Sequence, residues 1–190
     1  MSLHHHVSRP VRFPRGPWAA LAALLVLAFV TLAGVIFAAG ARARDSGVYE
    51  RRWLEEQLWL TISKVRAIHG LGSLRPNEEL TAAAQQHTFE MLRDGYFLHR
   101  GATRSYARRL AAFYPRTHRR GWHVGEILAW GSPSLSAEEA VSLWLRSPRH
   151  RTALLSRWRD VGIAAMHSPG APGFFGGLDA TVITIDFGTR

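Results

Sequence analysis

Val124-Gly125-Glu126-Ile127-Leu128-Ala129-Trp130-Gly131, then Ser136-Ala137-Glu138-Glu139, then Trp144-Leu145-Arg146-Ser147-Pro148-Arg149-His150-Arg151, is the stretch that decides the fold. Its first part is apolar with a loose alternation and reads as a strand over 122–130. Ser136 with Glu139 forms a capping box, so a helix starts there and runs through Val141 and Trp144. Ser147 ahead of Pro148 reads as the cap and first position of a further helix ending near Leu155. The stretch therefore couples a strand to two helices. It also carries an acid in apolar company, Glu126, and a histidine just after a helix break, His150.

Upstream, Leu54, Leu58, Ile62, Val65 and Ile68 recur at spacings of three and four, which predicts an amphipathic helix from about Arg52 to His69, stopped by Gly70 and Gly72. Leu71 to Pro76 reads as a turn. Asn77 caps a second helix through Leu80, Ala83, Ala84, His87, Met91 and Leu92, ending at Gly95. Thr103 or Ser105 opens a short third helix through Tyr106, Leu110 and Phe113, and Pro115 to Gly121 is a basic loop. Downstream, Asp160–His167 and Ala180–Phe187 read as strands joined by a Gly/Pro-rich loop over 170–177, close enough in sequence to pair antiparallel. Helices must cover the sheet, so the class is α+β, plausibly layered α/β/α.

With 190 residues the chain has room for one such domain plus an N-terminal segment. Its formal charge is +10, and every cation but Lys64 is arginine, scattered rather than stacked. That pattern fits a solvated basic surface, and no nucleic-acid partner is expected. There is no cysteine, which excludes disulfides, thiolate metal sites and a thiol nucleophile. Residues 1–17 form a basic tail and residues 18–41 an uncharged apolar run long enough to span a bilayer of about 30 Å. The run exceeds the roughly 7–15 residues of a signal-peptide core. An uncleaved transmembrane anchor is therefore preferred, while Ala39-Gly40-Ala41 and Ala41-Arg42-Ala43 keep cleavage open. Arginines stand on both sides of the run, so charge does not orient it. Residues 42–52 read as a linker and 53–190 as the domain. His4-His5-His6 is set aside from metal reasoning.

Three residues are candidates for chemistry: His99, in Tyr96-Phe97-Leu98-His99, with Glu126 and His150. A buried carboxylate needs a partner or takes up a proton, so Glu126 meets either one of the arginines or a histidine or metal. No zincin helix, phosphate loop or nucleophile elbow is present. Ser147, three residues from His150, is better placed to cap backbone than to attack a substrate.

Residues 54–188 resemble the CAP superfamily (cysteine-rich secretory proteins, antigen 5, pathogenesis-related proteins), in its cysteine-free bacterial branch of SCP-like extracellular domains. The resemblance rests on Leu74-Arg75-Pro76-Asn77-Glu78-Glu79-Leu80 with His87, on Phe97-Leu98-His99, and on Val124-Gly125-Glu126-Ile127. It continues in Trp144-Leu145-Arg146-Ser147-Pro148-Arg149-His150-Arg151, Asp160-Val161-Gly162-Ile163 and Ile185-Asp186-Phe187-Gly188, in the family's order. It implies a three-layer α-β-α sandwich whose cleft holds His99, His150 and Glu126, with Ser147 where animal members carry a second acid. It also implies that these two histidines and Glu126 hold a divalent metal such as zinc. Ile127 and Ile185 replace polar family residues, which implies a less polar cleft. The function expected is a non-enzymatic binding module for a lipid or cell-envelope ligand, outside the cytoplasm, anchored or secreted. A metal-dependent peptide or ester hydrolase is the alternative. Arg116, Arg119 and Arg120 are expected to rest on anionic headgroups.

Overall fold

The computed structural model describes residues 47–101, 105–116 and 121–190. The apolar run 18–41, His4–His6, Thr103, Arg119 and Arg120 lie outside them. Among the described residues no helix is long and apolar enough to cross a membrane.

The helices form where their local signals put them. Helix α1 spans Arg52–Ile68 and buries Leu54, Leu58 and Ile62 on one face. Helix α2, Glu78–Asp94, starts at Asn77, whose side chain accepts from the Leu80 amide, and stops at Gly95 in the left-handed conformation. Helix α3, Tyr106–Phe113, is capped by Ser105. Helix α4, Ala137–Arg146, carries the full capping box of Ser136 and Glu139. Helix α5, Pro148–Leu154, has proline at its start, but the Ser147 hydroxyl makes no capping bond. A capping bond from Ser147 would have to reach the Arg149 or His150 amide, and its hydroxyl makes neither, which corrects the expectation for Ser147.

Three long strands make the sheet: β3 (His123–Gly131), β4 (Asp160–Ser168) and β5 (Ala180–Thr189). Two short ones flank them, β1 (Tyr49–Glu50) and β2 (Arg75–Pro76). The order is β1-β4-β5-β3; β5 is central and antiparallel to both long neighbours, while β2 pairs parallel with the start of β4. β1 lies inside residues 42–52, so the linker expectation gives way there to a strand paired with Met166 and His167.

Strand alternation sorts the core into two layers. Odd-numbered strand residues (Ile127, Val161, Ile163, Ile183, Ile185, Phe187) pack under α1, α4 and Leu154 of α5. Even-numbered ones face α2 and α3: Leu128, Met166 and Val182 meet Met91 and Leu92, while Val124 meets the cluster of Leu80 and Leu110. Helices thus cover both faces of the sheet. Contact with α2 is so close that a Cβ at Gly162 would stand 2.1 Å from the Leu80 carbonyl carbon. The outer edge of β3 is met by Trp144, whose indole donates to the Leu128 carbonyl at 2.8 Å. Buried Arg66 ties α1 to the segment after α5 through the carbonyls of Leu154 (2.8 Å) and Ser156 (2.9 Å).

Candidate functional site

Glu126 lies midway along β3 on the even face, opposite Asp186 of β5. Two acids are thereby set side by side under α2 and α3, both with fully buried side chains. Such a pair needs a cation or a proton. Arg109 of α3 supplies the cation: its Nη2 donates to Glu126 Oε2 and lies 3.5 Å from Asp186 Oδ1. The proton falls to Asp186. Burial first, and then the neighbouring Glu126 charge, hold its carboxyl well above the ordinary carboxylate range, with Arg109 pulling the other way.

The second oxygen of Glu126 faces the cleft mouth. His99 Nδ1 donates to Glu126 Oε1 at 2.9 Å, and the His99 side chain is half exposed. His150 of α5 stands beside it, with ring centroids 6.2 Å apart. Burial, then the neighbouring His99, lower the His150 pKa, which favours a neutral ring. Behind them His87 of α2 is fully buried, its Nε2–H donating to the Leu98 carbonyl at 2.9 Å. Burial and then Arg109 lower its pKa as well, so its 3.9 Å approach to Glu126 is that of a neutral ring.

Three of the four sequence candidates therefore converge: His99 bonds Glu126, and His150 lines up with His99. Ser147 sits half-buried at the α4–α5 junction. Both Glu126 oxygens are already engaged, and among the described residues no three His, Cys, Asp or Glu are placed to hold an ion. Glu126 is instead placed behind His99, where an outer carboxylate orients an imidazole.

The cleft-polarity expectation also changes. Ile127 and Ile185 are fully buried in the layer under α1 and α4, away from Glu126, because odd strand positions point to the other face. The isoleucines leave the cleft as polar as before. Arg109 and Asp186 were not singled out from the sequence. Their signals were a charge beside the Tyr106–Leu110–Phe113 face of a short helix, and an acid inside the β-rich run Thr181–Phe187.

No curated protein sequence matches the chain. Among solved structures, an outer surface protein of Borrelia burgdorferi superposes with a TM-score of 0.61 at 19% identity, covering 75% of this chain and 97% of that one. An extracellular protein containing an SCP domain, from Bacillus anthracis str. Ames, superposes with a TM-score of 0.55 at 21% identity, covering 72% of this chain and 40% of that one. At these identities the likeness is one of fold. The model of the cysteine-rich secretory protein (CAP) family matches residues 60–182, about two thirds of the sequence, and the chain belongs to that family.

Proposed function

We propose that this chain is an extracytoplasmic CAP-domain binding module, joined to the membrane by residues 18–41, that takes a lipid or cell-envelope component at the cleft beside His99 and His150. The carrying observation is that the site's acid is already spent: Glu126 serves His99 with one oxygen and Arg109 with the other. A hydrolase working through Glu126 needs that carboxylate free to take a proton from water, and here it is clamped between two donors. Two neighbours in fold, an outer surface protein and an extracellular protein, support a location outside the cytoplasm. A divalent cation such as zinc would be held by the His99 and His150 rings together with water. It would give the cleft a positive point for an anionic headgroup. Glu126 would keep the His99 ring oriented.

The test is elemental analysis and native mass spectrometry of the full chain, purified in mild detergent with His4–His6 removed. A lipid or envelope component bound stoichiometrically is expected, and lost in His99→Ala and His150→Ala. Turnover of peptide or ester panels with zinc present, abolished in His99→Ala and Glu126→Ala, would overturn the reading in favour of the hydrolase.

A further inference from the structure

The chain enters the domain at one end of the sheet, and that end exposes apolar side chains among charged ones: Glu50 pairs with Arg52, Arg93 with Asp94, and Asp179 is exposed. β1 runs antiparallel to β4 with Tyr49 opposite His167, next to the point where β4 leaves the sheet at Ser168. α1 begins at Arg52, anchored by the Arg51 amide donating to the Ala165 carbonyl at 2.8 Å. The loop joining β4 to β5 closes the same end. Among the described residues nine large hydrophobic side chains are exposed, and Tyr49, Trp53, Phe174 and Leu178 belong to this end. The other end carries Arg75 paired to Asp160 at 2.7 Å, with Arg190 nearby and Arg116 over Trp122.

The apolar loop is held firmly rather than left to collapse. The Phe174 amide donates to the Gly95 carbonyl at 2.8 Å, and its ring stacks on Phe97 at 5.7 Å and meets the edge of Trp130 at 5.5 Å. Gly95 and Gly173 both have positive φ, and a Cβ on Gly173 would lie 2.3 Å from the Gly95 oxygen. Only paired glycines permit that contact. The fold therefore spends two constrained positions on presenting Phe174 to solvent. Phe97, Leu98 and His99 are consecutive, so this surface leads directly to the cleft.

The sequence supplies the occupant. The apolar run ends at Ala41, eight residues before Tyr49, a reach of at most roughly 28 Å. The nine-residue strands are themselves about 30 Å long. A tether no longer than the domain keeps its entry end within reach of the bilayer. Tyr and Trp are the side chains that settle at a membrane–water boundary. We propose that this end of the sheet docks on the lipid bilayer, with Tyr49, Trp53, Phe174 and Leu178 seated among headgroups and upper acyl chains; the inference rests on the anchor reading given above. Arg116 then lies at the end away from the bilayer, and the headgroup contact expected for it moves to the entry end.

The absence of native cysteine makes the test direct. Leu178→Cys, Phe174→Cys and, as a control at the other end, Arg157→Cys are each labelled with an environment-sensitive fluorophore. The full chains are reconstituted into vesicles of equal parts phosphatidylcholine and phosphatidylglycerol. Labels at 178 and 174 are expected to be quenched several-fold more than the label at 157 by lipid carrying a nitroxide on its upper acyl chain. Co-flotation with equal quenching at all three positions overturns the docking surface alone. Failure to co-float overturns the anchor reading and the docking surface with it. Shielding at 174 and 178 that depends on protein density, without lipid quenching, assigns the surface to a second copy and overturns the proposal. Should Phe174→Cys fail to fold, Leu178→Cys, at an exposed position, still decides.

Discussion

At Asp186 a carboxyl group with no exposed surface faces Glu126 across the strand pair, and one guanidinium serves both. The folded chain binds the Asp186 proton more tightly than the unfolded one does. Stability from this group is therefore full below its ordinary value of 3.8 and is lost as pH rises from there toward the raised value. The slope approaches about 1.4 kcal/mol per pH unit for one proton. Asp186→Asn keeps the shape and removes the proton. Its urea midpoint is expected to be flatter than the native protein's between about pH 5 and 8, and an unchanged pH profile would show that Asp186 is ionised in the fold. At this scale the sequence revealed Glu126, because an acid flanked by Val124, Ile127, Leu128 and Ala129 stands out in an otherwise apolar strand. Arg109 stayed hidden because its role depends on a partner 17 residues away that only the packing of α3 against β3 brings near.

The helices show which features are local and which are not. Ser136 makes both halves of its capping box, while Ser147 makes no side-chain cap. Ser136→Ala is expected to cost about 1 kcal/mol in thermal or urea unfolding. Ser147→Ala is expected to fall within about 0.5 kcal/mol of the native protein. Equal costs would return a capping role to Ser147. The capping box, Asn77 and Gly95 could be read from sequence because their hydrogen bonds close within a few residues. β1 and β2 could not. Each is two residues long, and their partners on β4 lie more than 80 residues away. The same non-locality misled the reading of Ile127 and Ile185. Their identity was plain, but which sheet face they serve follows from register, and one position along a strand reverses it.

For the molecule as a whole, three ordered signals sufficed to fix the architecture: a periodic helix pattern, a strand with two capped helices behind it, and two terminal strands. What they could not convey is how the sheet ends. Among the described residues β3 borders the sheet along nine residues and pairs with β5 alone. A long strand with a free side is a template for another chain. Here the Trp144 indole occupies the Leu128 carbonyl on that side, filling a ladder position with a side chain. Trp144→Phe keeps most of the packing and withdraws the donor, leaving a buried acceptor unpaired at a cost of about 1–3 kcal/mol. The variant is expected to unfold earlier and to scatter more light as its concentration rises; if it is merely less stable and stays monodisperse, Trp144 has no such duty. Trp144 thus gives the Leu128 carbonyl at the border of the sheet a partner that an added strand would have to displace.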